Sequence, residues 1–183
     1  MNYEEKTVSE ERKYTGNIIN VNRATVILPN GKQATRDIVR HPGASVVVPI
    51  TDDSELLLVR QYRKPCEMVS LELPAGKLDD GEDPETCAIR ELREETGYVA
   101  GNIQKVMSIH STPGFSDEVL HLYVATGLTE GLSCPDEDEF ISCRKYTIEE
   151  CIQMVQKGQI TDAKTIIGVY LADRIKKGEH KLS

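Results

Sequence analysis

Three glutamates, Glu91, Glu94 and Glu95, lie close together near the C-terminal end of a short predicted helix. Like charges four residues apart on a helix repel each other by roughly 0.2–0.5 kcal/mol per pair. The helix macrodipole also disfavours negative charge at this end. A hard divalent cation, Mg²⁺ or Mn²⁺, would offset both costs, because such ions take carboxylate oxygens as ligands and often bridge to substrate phosphates. The alternative is an acidic helix face that contacts only solvent.

The helix that carries these glutamates has recognisable ends. Asp83 is a typical N-cap, Pro84 suits the first turn, and Gly97 suits a left-handed C-cap. The apolar residues recur at helical spacing and predict a stripe that packs on the core. Its apolar members are Ala88, Ile89 and Leu92. The glutamates are predicted at the edge of this stripe, with Arg90 and Arg93 pointing elsewhere on the helix.

The elements around this helix are mostly strands. Residues 1–40 are predicted to form a small antiparallel β piece with a hairpin at residues 29–32, too small to be stable alone. The apolar runs 44–50 and 55–60 are predicted to be paired core strands. The remaining predicted elements are strands near 103–110, 119–126 and 140–146, and helices at 147–159 and 163–177. This order predicts an α/β (α+β) fold, with a mixed sheet between helices in a domain spanning residues 41–183.

Composition narrows the classes of function. The chain has 183 residues, a net charge of −8 and no long basic run, which disfavours a nucleic-acid partner. No stretch reaches the roughly 20 apolar residues of a membrane span, and no signal peptide precedes the charged N-terminus. Five cysteines without a C-x-x-C pair favour a reducing compartment, so a cytoplasmic location is predicted.

The spacing of residues 76–98 resembles the signature of the Nudix hydrolases, which cleave nucleoside diphosphates linked to another group. Gly76 is followed after five residues by Glu82, and after seven more by RELREETGY. Tyr98 stands where the family usually has an aliphatic residue. The resemblance implies the Nudix α/β/α sandwich, with the signature as a loop, a helix and a loop.

The resemblance also implies roles for individual residues. Glu91 and Glu95 would be the principal metal ligands, and Glu94 would bind metal directly or through water. The carbonyl of Ala75 would be a further ligand. Two or three Mg²⁺ (or Mn²⁺) ions would be held. Four other residues would keep the loop in shape: Gly76, Glu82, Arg90 and Gly97.

Outside the signature, the chain resembles the ADP-ribose pyrophosphatase subfamily. Pro113 lies sixteen residues after Gly97, and residues 60–63 and 72–76 read RQYR and ELPAG. The resemblance implies hydrolysis of ADP-ribose to AMP and ribose 5-phosphate. Arg63 would clamp the phosphates, since guanidinium offers paired donors, or be a surface arginine at the end of a strand. Glu118 would bind ribose hydroxyls or simply be a solvated loop acid.

The remaining implied roles concern the acidic loop and the N-terminal strands. Glu139 is favoured as a further metal ligand and Glu137 as the base that activates water, against the alternative of an acidic loop without a role. Ile18 would contact the base of the substrate, or be a strand core residue. A homodimer with exchanged N-terminal strands is predicted, which would place Ile18 in the neighbour's site.

Two other functions stay open at this stage. The chain could be a nucleotide-sugar pyrophosphatase of the Nudix type, or a sensor that binds ADP-ribose without cleaving it. Sensors of that kind tend to lose the signature glutamates and gain a DNA-binding domain, and this chain shows neither change.

Overall fold

A computed structural model describes residues 2–131 and 140–182, and these residues divide into two compact units. The first unit comprises the chain up to Gly43 together with His110–Val119. The second unit comprises Ala44–Ile109 and the chain from Leu120 onward.

The first unit is built on a three-stranded antiparallel sheet. Its strands are β1 (Lys6–Thr15), β2 (Asn20–Ile27) and β3 (Gln33–Arg40), in the order β1-β2-β3. The predicted hairpin at residues 29–32 is confirmed, with Gly31 in the left-handed region at φ 80°. Every residue of β1 is exposed, so this strand buries little in its own chain.

The segment 110–119 joins this unit at the end of β3. Val39 and Ser116 form an isolated parallel bridge. Asp117 accepts a hydrogen bond from the His41 backbone N–H at 2.9 Å and from Arg40 at 3.0 Å. The loop around Pro113 is therefore fixed to the chain that leaves β3.

The second unit contains two larger sheets. Its strands are β4 (Ala44–Pro49), β5 (Glu55–Arg63), β6 (Met68–Glu72), β7 (Ala75–Lys77), β8 (Tyr98–Val99), β9 (Asn102–His110), β10 (Val119–Thr126), β11 (Thr129–Glu130) and β12 (Ser142–Thr147). One sheet has the order β7-β4-β10-β9, with β4 parallel to β10 and antiparallel to β7, so the predicted mixed sheet is confirmed. The other sheet, β12-β5-β6, is antiparallel.

The predicted pairing of β4 with β5 is wrong. The two strands belong to different sheets and meet only at an isolated bridge between Ile50 and Leu56. An apolar run indicates burial on both faces, but it does not identify the neighbouring strand. The partner of β4 is β10, more than seventy residues away, as in the pair Val46–Leu122.

In the described part of the chain, three α-helices pack on these sheets: α1 (Pro84–Thr96), α2 (Ile148–Gln156) and α3 (Ala163–Lys176). Val47, on one face of β4, belongs to a buried cluster with Ala88 and Leu92 of α1. The opposite face contributes to the main core, together with residues of β5, α2 and α3. The mixed sheet is therefore covered on both faces. In the part of the chain that the structure describes, no helix has the length and apolar character needed to cross a bilayer.

Candidate active site

Helix α1 begins and ends at the predicted residues. The Asp83 carboxylate accepts hydrogen bonds from the backbone N–H groups of Glu85 and Thr86 at 2.9 and 3.2 Å. Gly97 ends the helix at φ 79°, and its N–H donates to the carbonyl of Arg93. These caps set the two ends of α1.

The buried face of α1 differs from the prediction in one residue. Ile89 was expected to pack on the core, but 47% of it is exposed, and Cys87 is buried in its place. The buried stripe therefore runs along the side of the helix that carries Glu91 and Glu95, which are only 9% and 6% exposed. Two carboxylates are thus held at the boundary of the core.

Arg90 does not point away from the glutamates, and that expectation is wrong. Its Nη1 donates to Glu91 at 2.6 Å and to Glu94 at 3.0 Å. Its Nε and Nη2 donate to the two oxygens of Glu82 at 2.9 and 3.0 Å. The long arginine side chain reaches carboxylates beside its own turn, including one in the preceding loop, which a helical-wheel projection does not reveal.

This cluster shifts the pKa values of its members. Hydrogen bonds from Arg90 lower the pKa of Glu82 to about 2. The same bonds to Glu82, the charge of Glu91 and the hydrogen bonds to Glu94 and Glu91 raise the pKa of Arg90. Burial raises the pKa of the neighbouring Cys87 thiol to about 11, so the thiol stays protonated.

The backbone of β7 runs directly against the two buried carboxylates. The Ala75 N–H donates to Glu95 Oε2 at 3.0 Å. A Cβ atom added to Gly76 would lie 1.9 Å from Glu91 Oε1, far inside van der Waals contact. Only glycine at position 76 leaves room for the Glu91 side chain as it is placed.

The predicted phosphate clamp, Arg63, lies at the end of β5. Its Nε and Nη2 donate to the two oxygens of Glu72, each at 2.8 Å. These bonds, and the charges of Glu72 and Glu95, raise the pKa of Arg63. Arg63 thus lies within electrostatic range of the glutamate helix.

Glu72 is buried, with only 3% of the residue exposed, and it is shared by two cations. Lys164 of α3 also donates to its carboxylate, and donates to Asp162 at 2.9 Å. Burial raises the pKa of Glu72, but the hydrogen bonds from Arg63 and the charge of Lys164 outweigh it and lower the pKa to about 2. A groove of about 420 Å³ opens beside Arg63, Asp162 and Lys164.

Sequence reasoning assigned no role to Glu72, Lys164 or Asp162. A signal was present in two places. Glu72 follows the strand residue Leu71 and precedes Leu73-Pro74, so it is a charge in an otherwise apolar stretch. Lys164 stands in the first turn of α3, where the macrodipole disfavours a cation, so a nearby anion was to be expected.

Two further predicted residues lie in the first unit. Ile18 lies in the turn between β1 and β2 and is 57% exposed, so the alternative of a strand core residue is wrong. Glu118 is partly buried, with Oε1 3.5 Å from His41 Nδ1. Glu137 and Glu139 lie outside the described residues.

The donor set of α1 fits a hard divalent cation. Within residues 2–131 and 140–182, no three acidic, histidine or cysteine side chains converge as a ready-made metal site, and Arg90 is bonded to Glu91 and Glu94. The donor atoms support this fit, because three carboxylates lie on one side of the helix. Glycine at position 76 also lets the backbone lie close to the Glu91 carboxylate. A cation bound by Glu91 and Glu94 would replace the hydrogen bonds that Arg90 Nη1 donates to these residues. The hydrogen bond from Arg90 Nε to Glu82 would remain.

Comparison with known proteins identifies the family. Residues 39–167 match the NUDIX domain, and residues 5–39 match the nucleoside diphosphate sugar hydrolase N-terminal domain. The chain therefore belongs to the Nudix family, whose hydrolases generally use divalent metal ions.

Its relatives include three bacterial proteins. The chain is 43% identical to the methanol dehydrogenase activator of Bacillus methanolicus, over 98% of both chains. It is 42% identical to the ADP-ribose pyrophosphatase of Bacillus subtilis, over 91% of both chains. It is 37% identical to the ADP-ribose pyrophosphatase of Mycobacterium tuberculosis, over 94% of this chain and 85% of the relative.

A solved structure shares the fold. The crystal structure of an ADP compounds hydrolase matches with a TM-score of 0.84, over 100% of both chains, at 21% identity. This likeness supports the architecture described above.

Proposed function

We propose that the chain hydrolyses the pyrophosphate of ADP-ribose to AMP and ribose 5-phosphate. The observation that carries the proposal is the pair of buried carboxylates, Glu91 and Glu95, held against the backbone of β7 in the NUDIX domain. The substrate is supported by the two relatives named ADP-ribose pyrophosphatase, at 42% and 37% identity.

The proposed metal is Mg²⁺ or Mn²⁺, with two or three ions per site. When bound, such ions neutralise the diphosphate and lower the pKa of a bound water. The proposed ligands are the carboxylates of Glu91, Glu94, Glu95 and Glu139 and the carbonyl of Ala75. Arg90 binds Glu82 through Nε and Nη2, and it binds Glu91 and Glu94 through Nη1. The bonds to Glu82 can therefore hold the loop while Glu91 and Glu94 exchange Arg90 for metal.

Other side chains would bind and orient the substrate. Arg63 would donate to phosphate oxygens, while Glu72 holds its guanidinium in place. Glu118 would accept hydrogen bonds from ribose hydroxyls. Glu137 would take the proton from the attacking water, acting as a general base. Ile18 would contact the adenine.

The N-terminal β piece, residues 1–40, is proposed to be exchanged between two chains, with residues 41–183 forming the Nudix domain. Two observations support exchange: β1 is exposed along its whole length, and so is Ile18. A partner would bury these surfaces. Sedimentation equilibrium should give twice the chain mass of 20.4 kDa. A fully active monomer would rule the exchange out.

A cytoplasmic location is part of the proposal. Cys66, Cys87, Cys143 and Cys151, the cysteines within the described residues, are all free thiols. Free thiols fit a reducing compartment.

A substrate panel tests the proposed function. ADP-ribose, GDP-mannose, UDP-glucose and NADH would each be incubated with the chain and Mg²⁺, and the products identified by chromatography. ADP-ribose should give the highest kcat/KM, with AMP and ribose 5-phosphate as products. A higher kcat/KM for a hexose compound would favour a nucleotide-sugar pyrophosphatase, and tight ADP-ribose binding without products would favour a sensor.

A second candidate function is favoured by one relative. The 43% identity to the methanol dehydrogenase activator covers 98% of both chains. The chain would then raise the activity of a methanol dehydrogenase. Assaying that dehydrogenase with and without the chain separates the candidates, since only this function predicts a faster rate.

A further inference from the structure

The buried carboxylate of Glu72 links the proposed phosphate-binding arginine to the first turn of α3. Arg63 engages both oxygens of this carboxylate through Nε and Nη2. Lys164 donates to Glu72 Oε2, one of the same two oxygens. Within the described part of the chain, no hydrogen bond uses Arg63 Nη1, so this nitrogen remains for a ligand.

The charges around Arg63 determine how strongly its guanidinium attracts an anion. If Arg63 alone faced Glu72, the two charges would cancel, and the guanidinium would attract a diphosphate weakly. Lys164 adds a second positive charge beside the same carboxylate, with only 12% of its side chain exposed. Asp162 pairs with Lys164 at 2.9 Å, so the two cations and the two carboxylates together carry no net charge. The effect of Lys164 is therefore local: it shares the Glu72 carboxylate with Arg63, which leaves the Arg63 guanidinium less fully neutralised than in an isolated pair.

Further hydrogen bonds fix the position of Lys164 and of the segment that carries Glu72. Lys164 is fixed by Asp162, which caps α3 by accepting from the Thr165 N–H at 3.0 Å. Thr165 in turn accepts a hydrogen bond from the Leu73 N–H at 2.8 Å. The first turn of α3 thus forms hydrogen bonds with Glu72 and Leu73, two residues of the segment that leads into β7.

We propose that Lys164 is a positioning residue for substrate binding, which acts through Glu72 to hold Arg63 oriented and electrostatically available to the diphosphate. This inference rests on the proposed function, because it assigns a role within that site. Lys164 need not touch the substrate, so its effect should depend on Arg63.

Steady-state kinetics on ADP-ribose with Mg²⁺ test the proposal. Lys164→Met should raise KM by about tenfold while kcat changes less than about twofold, since an interaction that binds substrate and transition state alike is lost. Lys164→Arg, which keeps the charge, should restore most of the lost affinity. The matched control is Lys176→Met on the same helix, because Lys176 forms a more exposed ion pair with Glu149 at 2.7 Å. It should leave both constants unchanged.

A double-mutant cycle separates action through Arg63 from direct contact. In the Arg63→Lys background, Lys164→Met should raise KM by less than about twofold, because residues in one network are not additive. An equal increase of KM in both backgrounds would overturn the proposal and indicate direct substrate contact. Unchanged KM in Lys164→Met would overturn it as well.

Two measurements keep the result interpretable. Thermal unfolding of each variant establishes that the protein assayed is folded, and if Lys164→Met is not folded, Lys164→Gln and Asp162→Asn replace it. If the unaltered chain fails to hydrolyse ADP-ribose, the proposed function fails. If it hydrolyses ADP-ribose and Lys164→Met behaves like the Lys176→Met control, only this inference fails.

Discussion

Gly76 cannot gain a side chain without moving Glu91, because the Glu91 carboxylate occupies the space of a Cβ atom. Nothing in the conformation of position 76 demands glycine, since its φ is not in the left-handed region. The requirement comes from close approach between a backbone and a side chain. Position 76 thus couples the loop to one of the proposed metal ligands.

Gly76→Ala should displace the Glu91 carboxylate and reduce kcat on ADP-ribose by about 100-fold, the cost typical of misplacing a catalytic group by about 1 Å. Gly158→Ala is the control, because a Cβ at position 158 meets open space while its φ of 68° strains the backbone. The control should lower stability by about 1 kcal/mol and leave kcat unchanged. Equal kcat in both variants would contradict the role given to Gly76.

Glu72 makes stability depend on pH in a defined window. Its pKa is about 2 when folded and 4.5 as a reference, so the unfolded chain binds more protons between these values. Stability from this group is therefore complete above about pH 4.5 and is lost as pH falls toward 2. The difference between the two pKa values corresponds to about 3 kcal/mol of stability.

Urea unfolding at pH 5 and pH 3 measures this dependence. Glu72→Gln removes the titrating group, so its free energy of unfolding should fall less than that of the unaltered chain between the two pH values. Glu82 also has a pKa of about 2, so part of the dependence remains in the variant. Identical pH dependence in the two proteins would contradict the ion-pair description of Glu72.

At the level of elements, α3 is tied to the strand that leads into the site. Thr165 is fully buried, accepts from the Leu73 N–H and donates to Asp162 at 2.6 Å. Its hydroxyl therefore connects the start of α3 to the segment before β7.

Thr165→Val keeps the shape but leaves the Leu73 N–H buried without an acceptor, which costs about 1–3 kcal/mol of stability. Thr35→Val, on an exposed position of β3, is the control and should change stability by less than about 0.5 kcal/mol. Urea denaturation of both variants provides the comparison. Equal stabilities would show that the hydroxyl does not anchor the segment.

Elements with strong local signals were predictable from the sequence. The caps at Asp83 and Gly97 and the turn at Gly31 are local chemistry, and they set the ends of α1 and of the β2–β3 hairpin. The pairing of β4 with β10 was not predictable, because it depends on contacts between distant parts of the chain. The burial of Cys87 rather than Ile89 likewise depends on how α1 rotates against the sheet.

The candidate site was predictable to a similar degree. The positions of the helix glutamates follow from spacing along one helix. The bonds of Arg90 to Glu91 and Glu94 and the Glu72–Lys164 pair were not predicted, because a long side chain pairs with whichever groups lie near it in the folded chain. Charged residues in unfavourable places, such as Lys164 at a helix N-terminus, were the clue available in the sequence.

For the whole molecule, net charge and substrate charge must be reconciled. A chain of net charge −8 is proposed to bind a diphosphate. The described structure offers two local solutions: carboxylates suited to divalent cations on α1, and the cations Arg63 and Lys164 around one buried acid. Together they make the binding of an anion depend on metal and on a small number of side chains.

The most direct test of the central claim is hydrolysis of ADP-ribose by the unaltered chain and by Glu94→Gln and Glu95→Gln, with Mg²⁺ and after its removal by EDTA. Glu85→Gln, an exposed acid on the same helix, is the matched control. The account predicts Mg²⁺-dependent release of AMP and a loss of kcat on the order of 100-fold or more in both site variants, with the control unaffected and all proteins folded. Full turnover in both site variants, or unchanged turnover after metal removal, would contradict it.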